Sequence, residues 1–324
     1  SDPDRAHRAD VLQEPRYRFA AREALDFLLT QMRRPDGAFI ASLSAVDGAG
    51  EEGGYYLWRP EDLARLLAPE VQRLAASVWG LDAPPEHAAG SLPVLAREPA
   101  QAAAELGMDP ETAAGLLDQA RAALLAERST RSLPKDTKAL AAWNGLTLSA
   151  LIAGARAFPG GLYREAAQAL RGYLVASLWD GEEVHRSRSE QGWMGEATLD
   201  DYAYVARGLR DWADLAGSDA DRALARRLVG LAWEHFHDDA GWRLSADPLL
   251  PAVPAEPALS DGPLPSPAAV IIELSLQSGD PALAERARGA QNAAAAVVAA
   301  RPFELASEAW LLVQYPPAGA VSAE

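Results

Sequence analysis

The sequence repeats one pattern three times, and this repetition constrains the fold more than any single motif does. Each copy is an amphipathic helix with apolar residues three and four positions apart, followed by a turn containing Asp and Gly and then a short extended segment. The copies cover residues 20–42, 163–187 and 220–245. Such repetition is typical of folds that stack one supersecondary unit. We therefore expect successive helical hairpins rather than a sheet-based fold.

Helices of two kinds alternate along the chain. Residues 139–157 are apolar nearly all round, which requires burial on most faces, whereas the helix from Leu162 carries charges on one side and can face water. The pairing recurs, with a last helix, in segments beginning at residues 202, 220, 267, 281 and 303. An inner buried helix followed by an outer half-exposed one predicts an all-α fold, an α/α toroid resembling a six-hairpin barrel. Residues 38–43 and 55–58 are predicted to form short β-hairpins between helices.

The segment 81–134 interrupts the regular succession of predicted helical hairpins. Residues 81–99 are rich in Pro, Ala and Gly and are predicted as a loop. Two helices are predicted after it, over 100–106 and 110–128, the second with Asp109 as N-cap and Pro110 at its first position. We therefore predict a single toroid domain over 1–324 that contains a loop and helical insertion over 81–134.

Composition excludes several classes of function. The formal net charge of -16 repels phosphate, so we expect neither nucleic acid nor an anionic membrane as a partner. The absence of Cys excludes disulfides, zinc–thiolate sites and thiol catalysis. No apolar run reaches the length of a membrane span, and the first residues lack the apolar region of a signal peptide. We therefore expect a cytoplasmic protein.

Four collinear groups of residues carry a family resemblance. They are GAFIAS (37–42) with EEGGYYLW (51–58), LPKDTKALAAWNGL (133–146), LDDYAY (199–204) and SDGPLPS (260–266). Together they resemble the thioredoxin-domain-containing, spermatogenesis-associated family, which joins a thioredoxin-like domain to a helical toroid similar to N-acylglucosamine 2-epimerases. The resemblance implies a toroid that binds or acts on a small carbohydrate, as an epimerase-like or glycoside-hydrolase-like protein. It also implies an alternative, a non-catalytic domain that partners a thioredoxin-like domain or an upstream segment.

The chain departs from this family in three respects. The thioredoxin domain is absent, and residues 7–16 resemble the tail of a helix whose beginning is missing, so we expect a toroid that is either complete or without its first hairpin. Where the family places Gly-Asn-Ser, this chain has Pro267, Ala268 and Ala269, which implies impaired or altered activity. Toroid epimerases use His acid/base groups, and none of the five His here forms an obvious pair.

The Trp143-Asn144-Gly145 string lies near the start of a buried helix. Trp143 offers an apolar plate on which a sugar can stack, and a buried Asn144 must be hydrogen-bonded. One interpretation is the floor of a pocket. The other is an Asn that satisfies the backbone of a neighbouring loop.

Acidic residues precede two of the predicted inner helices. Asp200 and Asp201 come just before Tyr202, and Asp261 lies in a loop before a helix. Such carboxylates can act as a general base or hold sugar hydroxyls, and they can equally be plain helix caps.

Carboxylates beside aromatic residues form a third candidate group. Glu51 and Glu52 lie next to Tyr55 and Trp58, a combination that suits carbohydrate chemistry, although a charged pair beside Gly-Gly is more often a solvated turn. Lys138 is either positioned for binding or part of a surface pair.

The sequence therefore predicts one ring pocket without metal or cofactor. Residues His235 and His237 are two apart and do not share a helix face, which argues against a metal site. The predicted catalytic residues are Asp200, Asp201, Glu52 and Asp261. The predicted substrate-binding residues are Trp143, Asn144, Tyr202, Tyr55, Trp58 and Lys138.

Overall fold

The computed structural model describes residues 15–246 and 258–316, apart from the side chain of Arg16. Within these residues the protein is mostly helical with a few short antiparallel strands, which confirms the predicted helical class. The chain separates into two compact units, residues 1–41 with 137–324, and residues 42–136. The predicted insertion, 81–134, falls inside the second unit, which begins earlier, at residue 42. None of the described helices is both long and apolar enough to cross a bilayer.

Helices and short strands alternate along both units. The helices are α1 (Pro15–Phe27), α2 (Pro60–Leu66), α3 (Pro69–Trp79), α4 (Pro99–Glu105), α5 (Pro110–Arg128), α6 (Ala141–Ala157), α7 (Leu162–Tyr173), α8 (Leu199–Ala216), α9 (Asp219–Phe236), α10 (Pro267–Gln277), α11 (Pro281–Ala300) and α12 (Ala306–Gln314). The strands are β1 (Ser42–Leu43), β2 (Lys135–Asp136), β3 (Ala139–Leu140), β4 (His185–Ser189), β5 (Gly192–Glu196), β6 (His237–Asp238) and β7 (Gly241–Trp242).

Helices α6, α8, α10 and α12 of the first unit form a central row, and other helices flank it. In the row, α8 packs against α6 on one side and α10 on the other, and α10 also contacts α12. The helices α7, α9 and α11 each pack against the row helix that precedes them in the chain, and α1 packs against α6. Residues 267–275 of α10 are all buried, as expected for a helix with apolar residues on every face.

Two glycines allow α6 and α8 to cross with their backbones in contact. A Cβ atom added to Gly145 would lie 2.5 Å from the carbonyl group of Tyr204, and one added to Gly208 would lie 2.7 Å from the carbonyl oxygen of Gly145. No side chain larger than hydrogen fits between these helices without backbone movement. The glycine of the Trp-Asn-Gly string is therefore a packing residue.

The three predicted turns are present in the first unit, each closed by an Asp side chain. The Asp36 carboxylate accepts a hydrogen bond from the amide of Ala38 (3.3 Å), Asp180 accepts from Glu182 (2.8 Å), and Asp238 accepts from Ala240 (2.8 Å). These are Asx turns, in which a side chain replaces a backbone acceptor. In the first two repeats the helix ends in a π-helical turn before the Asp-Gly turn; these are Leu28–Met32 and Leu174–Leu178.

Helices α2 to α5 form the second unit, with β1 and β2 joining its two ends. The helix α5 packs against α3 and α4, and Ser42 of β1 pairs with Asp136 of β2. The hairpins predicted for residues 38–43 and 55–58 are wrong. Only Ser42–Leu43 is a strand there, and its partner lies more than 90 residues away, because extended segments pair according to tertiary proximity rather than sequence proximity.

The structure contains elements that the sequence pattern does not predict. The pattern predicts neither α2 nor α3, and it indicates only a short extended segment where β4 and β5 form a hairpin. The segment 139–140, predicted as the first turn of a helix, is the strand β3, and it pairs with β4. Pairing with β4 satisfies the backbone groups of these residues and delays the start of α6 to Ala141.

Candidate functional site

The starts of α6 and α8 are joined by one carboxylate. Asp201 forms a capping box with Thr198, accepting from its amide at 2.9 Å and its hydroxyl at 3.1 Å. The other oxygen of Asp201 accepts from the amide of Ala142, in the first turn of α6, at 3.0 Å. Burial raises the pKa of Asp201, and the two amide donors oppose that rise. Both oxygens are therefore engaged in joining two helix N-termini.

Asp261 joins the starts of α10 and α12 in the same way. Its carboxylate accepts from the amide of Ser266, the N-cap of α10, at 2.9 Å, and from the amide of Ser307 in α12 at 2.8 Å. The hydroxyl of Ser307 also donates to it. Between the two pairs, the Tyr204 hydroxyl of α8 donates to the carbonyl oxygen of Pro265 at 2.6 Å. Hydrogen bonds thus join the start of α6 to that of α8, α8 to the segment that precedes α10, and the start of α10 to that of α12, so these N-termini lie at one end of the row.

The amide of Asn144 holds a loop. Its oxygen accepts from the amide of Phe39 at 2.8 Å, and its nitrogen donates to the carbonyls of Phe39 (3.0 Å) and Leu140 (2.9 Å). This is the arrangement that the loop-satisfying interpretation of Asn144 describes. The predicted binding residue Tyr202 is also buried, and its hydroxyl accepts from the amide of Val184 at 3.3 Å.

Trp143 and Asp200 lie on neighbouring first turns. The bond from Ala142 to Asp201 brings the first turns of α6 and α8 together, so the adjacent residues, Trp143 and Asp200, lie at the same end of the row. The Trp143 side chain is 48% exposed, unlike most large apolar side chains of this unit. Burial raises the pKa of Asp200, and the charge of Arg186 partly offsets that effect.

Glu308, in the first turn of α12, is a residue that the sequence-based analysis missed. It is only 1% exposed, and its Oε1 atom has no hydrogen-bond partner. Burial, reinforced by the charge of Asp261, raises the pKa of Glu308 to about 7. The carboxyl group is therefore neutral in a large fraction of molecules at neutral pH. The available signal was a lone acidic residue in the otherwise uncharged helix ASEAWLLVQ.

A polar stripe on α8 leads inward from this end. Asp200, Tyr204 and Arg207 are spaced four and three residues apart, which places them on one helix face. Burial and the charges of Asp200 and Asp261 raise the pKa of Tyr204. Arg207 forms a buried ion pair with Glu273 of α10. Burying such a pair is unfavourable unless its charges are mutually satisfied, so this face of α8 is specialised for polar contacts.

The remaining predicted residues are placed differently. Glu52, Tyr55 and Trp58 belong to the second unit: Glu52 is exposed, and the guanidinium of Arg128 lies 5.7 Å from the ring centroid of Tyr55. Trp58 is only 4% exposed, with the guanidinium of Arg131 4.1 Å from its ring centroid, and is a core residue of that unit. Lys138, in the first unit, is half-buried.

Metal-ligand geometry is absent from the part of the chain that the structure describes, where no three His, Asp or Glu side chains come together. His235 lies in the last turn of α9 and His237 begins β6, whereas His7 lies outside the described residues.

A comparison with protein-family models finds no match, and a comparison with curated proteins finds none either. The assignment of function therefore rests on the geometry of the helix starts and on the resemblance of the five quoted segments.

Proposed function

We propose that the first unit is an α/α toroid and that the end formed by the starts of α6, α8, α10 and α12 binds a small carbohydrate and performs acid–base chemistry on it. The observation that carries this proposal is Glu308, a buried carboxyl group with an unpaired oxygen and a pKa raised to about 7. Buried polar atoms without partners are rare in native proteins, and perturbed carboxyl groups cluster at functional sites.

A carboxyl group with a pKa near neutrality is suited to proton transfer. It is protonated often enough to donate a proton and ionised often enough to accept one. Asp200, on the first turn of α8, is the second titrating carboxylate at this end, and its oxygens are not engaged in joining helices as those of Asp201 and Asp261 are. Two such carboxyl groups suit either proton abstraction from a sugar or glycosidic bond cleavage.

Trp143 supplies the apolar part of the proposed site. An exposed indole ring beside carboxylates matches the amphipathic character of a sugar, which has apolar ring faces and polar edges. The acid and base groups would be carboxyl groups rather than the His side chains of toroid epimerases. The reaction class is therefore an epimerase-like or hydrolase-like one that uses Glu308 and Asp200.

A thermal-shift screen against mono- and disaccharides tests this proposal. A ligand that binds only the folded state raises the melting temperature, and we expect such a rise to be lost in Trp143→Ala and turnover to be lost in Glu308→Gln. Glu285→Gln is the matched control, because Glu285 is exposed on α11. The absence of any sugar-dependent shift in a cooperatively melting protein would overturn the carbohydrate proposal.

An interaction role is the second candidate function. The observation that favours it is the exposure of three aromatic side chains on α1, namely Tyr17, Phe19 and Phe27. Aromatic side chains are enriched at protein interfaces. The partner would be a thioredoxin-like domain or an upstream segment. Titration with a purified thioredoxin-like domain is expected to show binding that Phe19→Ser and Phe27→Ser weaken, and unchanged binding in both variants would reject this role.

A further inference from the structure

A cavity of about 490 Å³ lies in the first unit, between the C-terminal ends of two flanking helices. Its walls are the turn that follows the π-helical turn Leu28–Met32, residues near the end of α7 and in the π-helical turn Leu174–Leu178 that follows it, and one residue of β4. The residues that matter here are Arg33, Arg34, Gly37, Gly172, Tyr173 and Arg188. A volume of this size falls within the range of small-molecule sites and exceeds the need of a single ion.

Two glycines shape this cavity. Gly37 has φ of +92°, and a Cβ atom there would lie 3.0 Å from the carbonyl oxygen of Ala169, so glycine allows the turn to approach α7 closely. At Gly172 a Cβ atom would meet nothing within 4 Å, so the helix surface facing the cavity is left open. Both flanking helices widen into π-helical turns beside it, and such turns occur frequently at functional sites.

The cavity is positively charged in a strongly acidic protein. Three guanidinium groups line it against a single carboxylate, that of Asp36, which leaves a formal charge of +2. Asp36 pairs with Arg34 at 2.5 Å. Among the described residues, neither Arg33 nor Arg188 pairs with a carboxylate, although the whole chain carries a net charge of -16. Arg188 donates one bond to the carbonyl of Ser177 at 3.2 Å, which leaves its other N–H groups available.

Tyr173 adds a neutral donor to this group of charges. Its side chain is 7% exposed, and its hydroxyl has no hydrogen-bond partner. The guanidinium of Arg34 lies 5.6 Å from its ring centroid. Burial raises the pKa of the Tyr173 hydroxyl, the charges of Arg34 and Arg188 lower it, and the charge of Asp36 raises it. A buried hydroxyl without an acceptor is unfavourable, and a ligand oxygen would supply the acceptor.

We propose that this cavity binds a small molecule through a phosphate monoester group, which Arg33 and Arg188 neutralise and to which the Tyr173 hydroxyl donates a hydrogen bond. A phosphate monoester carries close to two negative charges at neutral pH, which matches the formal charge of the cavity. Guanidinium groups bind phosphate oxygens through paired N–H donors. The overall acidity of the chain slows the approach of an anion but does not remove this local attraction. The proposal is independent of the acid–base site at the helix starts.

Calorimetric titration with glycerol 3-phosphate, inorganic phosphate and glycerol tests this proposal. Glycerol 3-phosphate is expected to bind, inorganic phosphate to bind more weakly, and glycerol not to bind. Arg33→Gln and Arg188→Gln should each weaken binding by about tenfold or more, since each removes charge-assisted hydrogen bonds. Arg164→Gln is the matched control, because Arg164 is exposed on α7 about 13 Å along the helix from Tyr173.

Tyr173→Phe separates a binding role from a structural one. Because the hydroxyl has no partner in the protein, its removal should leave the melting temperature of the free protein unchanged or raised. Binding of glycerol 3-phosphate should nevertheless weaken several-fold. No binding of the ester at millimolar concentration would overturn the proposal. So would equal affinity for inorganic phosphate, or equal losses in the Arg33, Arg188 and Arg164 variants.

Discussion

In the first unit, one Asp carboxylate joins each of two pairs of helix starts, α6 with α8 and α10 with α12. The two pairs differ in whether the polar groups beside that carboxylate have hydrogen-bond partners. In the α6–α8 pair, Asp201 receives three hydrogen bonds and the neighbouring Asn144 makes three. In the α10–α12 pair, Asp261 plays the corresponding part, yet the adjacent Glu308 is buried with an unpaired oxygen. Satisfied polar groups at these positions hold the fold together, whereas an unsatisfied one costs stability and is therefore the candidate for the proposed chemistry.

The largest effect on stability is expected for a substitution where α6 and α8 approach each other most closely. Gly145→Ala would place a Cβ atom 2.5 Å from the backbone of Tyr204, so α6 and α8 must separate. We expect a loss of about 4 kcal/mol or more in the free energy of unfolding, measured by urea denaturation.

Gly230→Ala is the matched control, because a Cβ atom in the middle of α9 meets nothing within 4 Å. That variant should gain up to about 1 kcal/mol from helix propensity. Equal losses in the two variants would show that the α6–α8 crossing is not tightly packed.

Removal of either joining carboxylate, Asp201 or Asp261, should have the next largest effect on the free energy of unfolding. Asp201→Ala leaves the amides of Thr198 and Ala142 without an acceptor, and we expect a loss of about 3 kcal/mol; Asp261→Ala should be similar. Asp219→Ala, at an exposed position in the first turn of α9, should lose less than about 1 kcal/mol. If Asp201→Ala matched Asp219→Ala in chemical denaturation, the joining role would be rejected.

Glu308→Gln should produce an effect that depends on pH. The pKa of Glu308 is raised in the folded state from 4.5 to about 7, so the folded protein binds this proton more tightly and loses stability as pH rises between those values. At pH 4, below both pKa values, the variant should match the wild type. At pH 8 it should be more stable by roughly 2–3 kcal/mol, since the buried charge is gone. Unfolding measured at both pH values should show this divergence, and parallel behaviour would place Glu308 in a solvated environment.

Trp143→Ala should have the smallest effect on stability. Because the side chain is about half exposed, we expect a loss of less than about 1 kcal/mol, together with loss of sugar binding if the proposed site is correct. Trp233→Ala is the contrasting variant, since Trp233 is fully buried and its indole donates to Ser275 at 2.8 Å; it should lose about 4 kcal/mol. A large loss in Trp143→Ala would identify that residue as structural.

Local sequence patterns determined the helices, their order and several of their ends. The boundaries predicted for 110–128 agree with α5, and the start predicted at residue 267 agrees with α10. Asp109 caps α5 by accepting from the amide of Thr112 at 2.9 Å. The Asp-Gly turns were likewise identifiable. These features depend on residues within a few positions of one another, so the sequence alone specifies them.

Tertiary structure alone decided which polar residues are satisfied in holding the fold and which keep an unpaired group. Asn144 and Phe39 are 105 residues apart, Asp201 and Ala142 are 59 apart, and no local pattern indicates that they meet. Glu308 became a candidate only because packing around α12 removed it from water without giving Oε1 a partner. Burial and hydrogen-bond satisfaction are properties of the assembled helices, and for that reason the sequence could propose carboxylates but could not distinguish a helix cap from a proton donor.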